Sequence, residues 1–240
     1  HSTGYAIVAY QTAYLKTFFP AHYMAAFLSF ESQAQKVSDW IPYLEDCKRT
    51  KFVEPKSGEV IKVGVEVRPP NVNLSEADFA VVYESKTDRT PGSGHIRFGL
   101  RAIKGAGAKA IDAIIAERDK GGAYGSLFEF CERVPPGTVN KATIEALIKS
   151  GAFDEVHSRD DRASMVATIE QAVSAGQKLA ADRAAGQGAL FGAPDPAEEQ
   201  SQAAAVPLVK AEAWGESETL RQEKDTLGFY VSSHPLEQWK

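Results

Sequence analysis

The chain has 240 residues, of which 43% are hydrophobic and 25% charged, a composition that suits a globular protein with one large or two small domains. Its formal net charge of −5 excludes a protein with a uniformly basic, nucleic-acid-coating surface, so any contact with phosphate must be local. No apolar run approaches the roughly 20 residues of a membrane span, and no signal peptide opens the sequence. We therefore expect a cytoplasmic protein without membrane contact, and its two ends resemble cuts within a longer chain.

The first 49 residues are predicted to be helical, because apolar residues recur there at helical spacing. Pro20 should divide this region into two helices, and Pro42 should open a third near its first turn. The aromatic residues at helical spacing are predicted to be core, in preference to a platform for stacked bases. They are Tyr5, Tyr10, Tyr14, Phe18, Phe19, Tyr23 and Phe27.

Residues 51–98 change to an extended pattern. Apolar residues alternate from Val60 to Val67, and the Pro69-Pro-Asn71 turn ends this run. A small hairpin is predicted around Ser57 and Gly58, and a short strand is predicted at 95–98 after a surface loop. This part is therefore expected to be a short β or extended connector.

The helical pattern returns at Gly99 and continues to about residue 156, followed by an amphipathic helix over 161–185. Residues 186–213 have no core pattern and are predicted to be a flexible linker, and one more helix is predicted within 214–240. Cys47 and Cys131 lack metal-like spacing and are interpreted as buried thiols, and we predict no metal site. The predicted fold class is mainly α.

The most informative motif is Ile103-Lys-Gly-Ala-Gly-Ala108, which lies between two apolar segments predicted to be helical. Gly105 and Gly107 would allow a sharp turn with a backbone φ that other residues disfavour, and they place no side chain between the amides and a phosphate. Lys104 and Lys109 stand on either side as counter-charges. A tight αα-hairpin whose glycines serve packing alone is the alternative.

A second, degenerate hairpin unit is predicted at 138–154, with Asn140 as N-cap and Gly151 as C-cap. Between residues 97 and 118 we count five basic residues against two acidic ones, a local excess that offsets the negative total. Two such units together would contact the backbones of both strands of a duplex without reading bases.

The chain resembles the alpha subunits of bacterial DNA polymerase III, the replicative C-family polymerases. The resemblance runs from His1-Ser-Thr-Gly-Tyr-Ala through Phe98-Gly-Leu-Arg-Ala-Ile-Lys-Gly105 and Leu147-Ile-Lys-Ser-Gly-Ala-Phe-Asp154 to Leu227-Gly-Phe-Tyr-Val-Ser-Ser-His-Pro-Leu236. Residues 51–62 depart from that pattern by enlarging a usually short link.

The resemblance implies a division of the chain into segments. Residues 1–68 would be the C-terminal part of the fingers, 69–98 a connector and 99–156 a tandem helix-hairpin-helix module. A helix at 157–185, a linker at 186–213 and a helix at 214–240 that leads to the next domain would follow.

The resemblance also implies which residues carry function. The catalytic carboxylates would lie upstream of this chain, which would hold no catalytic residue and no cofactor, with Mg²⁺ serving the parent polymerase. His1 and Ser2 would lie at the edge of the nucleotide site. The expected contacts to duplex DNA are Arg101, Lys104, Gly105, Ala106, Gly107, Lys109, Asn140 and Lys141.

A short linear motif lies in the predicted linker. Gln187-Gly-Ala-Leu-Phe191 matches the Gln-x-x-Leu-Phe pattern of sliding-clamp-binding peptides and stands where the resembling family carries its internal clamp motif. Gln187 could hydrogen-bond a polar pocket while Leu190 and Phe191 bury apolar surface. Gly188 replaces the Leu of the strongest clamp peptides, which indicates modest affinity.

Three interpretations of function follow. The leading one is a part of a bacterial replicative polymerase whose partners are duplex DNA, the sliding clamp and other subunits of the holoenzyme. The alternatives are a standalone helix-hairpin-helix DNA-binding module of a repair protein, and a purely structural connector.

Overall fold

The computed structural model describes residues 2–34, 37–85, 87, 92–184 and 206–230. The mainly α fold class predicted from the sequence is confirmed. The helices are α1 (Ser2–Phe18), α2 (Pro20–Ala34), α3 (Val37–Arg49), α4 (Ala108–Gly121), α5 (Leu127–Arg133), α6 (Lys141–Lys149), α7 (Arg162–Ala184) and α8 (Glu216–Leu227). Short 3₁₀ turns occupy Leu100–Ala102 and Arg159–Asp161.

Five short strands form two small sheets. β1 (Lys51–Val53) pairs antiparallel with β2 (Val60–Val63), as the predicted hairpin requires, and Gly58 turns the chain between them with φ 73°. In the second sheet, β5 (Gly94–Arg97) lies between β3 (Val67–Arg68), which is parallel to it, and β4 (Ala80–Tyr83), which is antiparallel. The extended connector predicted for this region is therefore present as strands.

The chain divides into two compact units, the first comprising residues 1–70 and 74–102 and the second residues 71–73 and 103–240. The core of the first unit is aromatic. Trp40 of α3 is buried against Phe79 and Phe98, with ring centroids 5.9 and 6.2 Å from its own. Packing of large rings at these distances stabilises the unit beyond the area that it buries.

The second unit is helical and contains α4 to α8. Phe130 of α5 packs edge-on against Tyr124 and Phe153, at centroid distances of 4.9 and 5.1 Å. Residues 71–73 cross into this unit as a strap: the Val72 amide donates to the Ala152 carbonyl at 2.8 Å, and the Asn73 side chain forms two hydrogen bonds with the Tyr124 backbone. Residues 71–73 thus stabilise the connection between α4 and α5.

Some predictions about the helical region need correction. Pro20 does begin a new helix, but Pro42 lies inside α3 and not at its first turn. The assignment of the aromatic row to a core is wrong for α1, which buries none of its residues. Tyr5 and Tyr10 are 75% and 71% exposed. Among the described residues, no helix combines the length and apolar composition that a membrane span requires.

Candidate nucleic-acid interface

The turn before α4 has the shape that the motif predicts, but its two glycines serve different purposes. Gly105 has φ 89°, a left-handed conformation that favours glycine, and the Ala106 amide closes the turn on the Ile103 carbonyl at 3.1 Å. Gly107 has φ −67° and ψ 141°, which any residue adopts. The prediction of an unusual φ is therefore confirmed for Gly105 and wrong for Gly107.

What distinguishes Gly107 is open space. A Cβ built on it meets no atom within 4 Å, so neither packing nor backbone conformation requires glycine at this position. The residue is exposed and forms the N-cap of α4. A ligand can therefore approach the backbone amides that begin α4.

The N-terminus of α4 also lacks the internal partners that its neighbours have. Ser126 caps α5 by accepting from the Glu129 amide, and Asn140 caps α6 by accepting from the Thr143 amide. In contrast, no side chain in the described part of the chain caps α4, and no acidic residue lies in its first turn. The first amides of a helix have no acceptor within the helix, and the helix dipole favours an anion there. This N-terminus therefore offers donors to a phosphate.

Two exposed lysines flank the turn. Within the described part of the chain, no hydrogen bond or ion pair engages the ammonium of Lys104 or Lys109. Two of the other basic residues that gave the local excess of charge are buried: Arg97 donates to the Pro69 carbonyl, and Arg118 donates to the Val72 carbonyl. The accessible positive charge is thus concentrated at the turn.

Neighbouring helices hold the turn from two sides. The buried Thr143 of α6 directs its hydroxyl at the Gly105 carbonyl at 3.4 Å, and the Ala146 methyl lies 3.5 Å from the place a Gly105 Cβ would take. On the other side, the Lys104 amide donates to the Thr226 carbonyl of α8 at 2.9 Å. Thr143 and Thr226 were not found by sequence reasoning, because sequence spacing carries no signal for contacts this distant along the chain.

The first hairpin differs from the prediction in its leading arm. Residues 100–102 form a single 3₁₀ turn and not a full helix. Arg101, an expected DNA contact, belongs to the first unit, where its guanidinium lies 3.6 Å from Asp78. The amide of Ala106, another expected contact, is taken by Ile103, and its side chain is buried.

The second hairpin unit, predicted at 138–154, begins earlier than expected: α5 and the turn 134–140 precede α6, and 138–154 contains one helix only. Gly137 turns the chain with φ 86°, and the predicted N-cap is confirmed by the 2.9 Å bond from the Thr143 amide to Asn140 Oδ1. Gly151 has φ 85° and follows Ser150, the C-cap itself, in the left-handed position that commonly ends a helix. Lys141, an expected phosphate contact, forms an exposed ion pair with Glu170 at 2.8 Å. An exposed pair of this kind contributes little free energy, so a phosphate can replace the carboxylate of Glu170.

The remaining candidate residues are accounted for as follows. Ser2 is the exposed first residue of α1, in the first unit. His1, Gln187, Leu190 and Phe191 lie outside the described residues. Cys47 and Cys131 are buried thiols, as predicted, and burial raises the pKa of each to about 12. Across the described residues, no three His, Cys, Asp or Glu side chains are grouped to hold a metal ion.

Comparison with known proteins supports the geometry. A family model described as a helix-hairpin-helix motif matches residues 64–165. DNA polymerase III subunit alpha from Neisseria meningitidis serogroup B is 37% identical over 98% of this chain, and the protein of the same name from Caulobacter vibrioides is 35% identical over 99% of it. The corresponding Thermus aquaticus protein is 37% identical over 98% of the chain.

The chain spans less than a fifth of the length of these relatives, namely 18%, 18% and 16%. The similarity includes α1 to α3 as well as the hairpin module, a span that a standalone repair module would not match. The chain is therefore similar, over nearly its whole length, to one segment of bacterial DNA polymerase III alpha subunits, and this segment contains the helix-hairpin-helix motif.

Proposed function

We propose that this chain is the part of a bacterial replicative DNA polymerase that holds duplex DNA through its phosphate backbone. The observation that carries the proposal is the N-terminus of α4, where Gly107 leaves the amides open and where, among the described residues, no side chain caps the helix and none pairs with Lys104 or Lys109. Amides and ammonium groups in this arrangement recognise phosphate and not bases, so binding should be independent of sequence and should weaken steeply with salt.

Primer extension with deoxynucleoside triphosphates and Mg²⁺ is proposed for the longer polypeptide, with the catalytic carboxylates outside this chain. The described residues supply no cluster of metal-ligating side chains for that reaction. Primer extension by the 240-residue chain alone would contradict this assignment.

The test of the DNA contact is the substitution Gly107→Val. Valine fits the backbone at this position and meets no neighbour, so it should block the amides without disturbing the fold. Titration of a labelled random-sequence duplex, followed by fluorescence anisotropy, should show binding that is weaker by roughly tenfold or more, because a hydrogen bond to a charged group contributes about 1.5–3 kcal/mol. Lys109→Ala should cost less, since it removes one mobile counter-charge and leaves the amides open.

Gly215→Val is the matched control. Gly215 is the N-cap of α8, has φ −65° and also has no atom within 4 Å of a built Cβ. Its substitution repeats the change in helix capping at a site whose first turn contains Glu216 and Glu218, which disfavour a phosphate. Equal affinity of the two variants would remove the support for phosphate binding at the α4 turn. Gly105 is unsuitable for this test, because its positive φ makes any substitution there strained.

We further propose that Gln187, Leu190 and Phe191 tether the polymerase to the sliding clamp. The pattern of the peptide supports this, as does its place between α7, which ends at Ala184, and the segment that resumes at residue 206. Replacing Leu190 and Phe191 with serine should abolish binding of the chain to immobilised clamp in surface plasmon resonance. Serine at positions 189 and 192, which the pattern leaves free, should not, and a clamp affinity unchanged by the first pair of substitutions would exclude the tether.

A further inference from the structure

The C-terminal end of α8 lies against the turn that precedes α4. The Lys104 amide donates to the Thr226 carbonyl at 2.9 Å, which brings the backbones of residues 104 and 226 side by side. Gly228 ends α8 directly after this contact, with φ 85° and its amide bonded to the Lys224 carbonyl at 2.8 Å. The last turn of α8 is therefore a direct neighbour of the proposed phosphate site.

The position of α8 is fixed by a buried ion pair. Glu223, only 1% exposed, accepts from Arg162 Nη1 at 3.0 Å, and the same guanidinium is bound by Asp154. Breaking such a pair on one side leaves a buried charge, which is costly. The last turn of α8 is thus held firmly beside the hairpin.

This last turn presents one basic side chain to solvent. Lys224 is exposed, and its Nζ lies 4.8 Å from the centroid of the Tyr230 ring. Of the neighbouring acidic groups, Glu218 is held by Arg221 and Gln222, Glu223 is buried against Arg162, and Asp225 is exposed. Contact with an aromatic ring leaves the ammonium its full charge, so Lys224 remains available to a phosphate.

Lys224 lies within one helical turn of Thr226, the residue of α8 whose carbonyl contacts the hairpin. Residues 224 and 226 of a helix have Cα atoms roughly 5 Å apart, and the lysine stem adds four methylene groups of reach. Duplex DNA carries one phosphate per roughly 3.4 Å of axis on each strand, so a backbone bound at the α4 turn brings further phosphates within range of Lys224.

We propose that the last turn of α8 is part of the duplex-binding surface, where Lys224 binds a backbone phosphate beside the one held at the N-terminus of α4. This inference rests on the proposed function of the hairpin. It adds that residues on both sides of the segment 185–205 form the DNA-binding surface, because α4 precedes that segment and α8 follows it.

The test is Lys224→Gln in the 240-residue chain, titrated with the same labelled duplex at several salt concentrations. Loss of one phosphate contact should weaken binding roughly three- to tenfold at low salt and reduce the slope of log affinity against log salt by about 0.9. Lys224→Arg should retain both values. Lys120→Gln is the control, because Lys120 is exposed on α4 but lies 12 residues, or about 18 Å, beyond the start of that helix.

The outcomes separate this inference from the proposal on which it rests. Equal binding and equal slopes for Lys224→Gln and Lys120→Gln, together with a loss in Gly107→Val, would overturn the role of α8 and leave the hairpin contact standing. Wild-type binding by all three variants would overturn both. Unchanged thermal unfolding of Lys224→Gln would show that a loss of affinity reflects the contact and not the fold.

Discussion

Single glycines in the second unit show how one residue type meets different physical demands. Gly105 is required for its left-handed backbone, and Gly107 only leaves room for a ligand. Gly176, within α7, is required by contact: a Cβ there would clash with the Cys131 carbonyl oxygen of α5. The absence of a side chain at Gly176 is what lets α5 and α7 cross so closely.

Gly176→Ala should therefore destabilise the second unit, although alanine is the better helix former. The new methyl meets backbone atoms that no rotamer change can move, so the helices must separate at a cost of about 1–3 kcal/mol or more. Urea unfolding followed by circular dichroism would measure the loss. Gly4→Ala in α1, where a Cβ meets nothing within 4 Å, should instead be neutral or stabilising by up to about 1 kcal/mol. A Gly176→Ala variant as stable as wild type would show that the two helices can yield.

At the scale of elements, residues with known preferences for helix ends correctly predict several helix boundaries. Pro20 begins α2, Asn140 caps α6 and Gly151 follows its end, because each of these effects acts within a few residues of the chain. The prediction of a full helix before the first hairpin is wrong, because Leu100 is buried in a single 3₁₀ turn and periodicity cannot separate one turn from a short helix.

The aromatic residues of α1 expose a different limit. From Ser2 to Leu15 this helix carries no charge, and its spacing favours a core, yet the side chains of Tyr5, Tyr10 and Tyr14 are exposed. Hydrophobic spacing indicates that a helix is suited to burial but does not say which surface covers it. The same limit applies to Arg97 and Arg118, since charge counted along the sequence carries no information on which guanidinium folds inward.

Only part of the candidate site can be predicted from the sequence. The turn, its lysines and the second cap follow from short-range patterns. The bonds from Thr143 to Gly105 and from Lys104 to Thr226 join residues that are 38 and 122 positions apart, and only the packed second unit reveals them.

At the scale of the whole molecule, the net charge of −5 is compatible with the proposed DNA binding because accessible lysines are concentrated locally. Contacts with α7 and with Arg162 keep the parts of the second unit on either side of the segment 185–205 associated. After that segment the chain returns along α7: the Val209 amide donates to Thr168 Oγ1 at 2.9 Å, and the Ala211 amide donates to Ser164 Oγ at 3.1 Å. The Arg162–Glu223 pair then anchors α8.

Cutting the chain within 185–205, at an inserted protease site, should therefore leave the two pieces associated. The hydroxyl bonds to α7 and the buried ion pair belong to the folded second unit and do not depend on covalent continuity between the pieces. The cleaved protein should elute from a size-exclusion column as one species and should retain duplex binding. Glu223→Ala should release the C-terminal piece, because α8 loses its buried hydrogen bond to Arg162, an interaction of about 1.5–3 kcal/mol, while Asp154 keeps the guanidinium paired within the other piece. Glu212→Ala, an exposed change in the C-terminal piece, should not release it. Separation of the wild-type pieces would mean that the covalent connection through 185–205, and not the packing of α8, keeps the two parts of the DNA-binding surface associated.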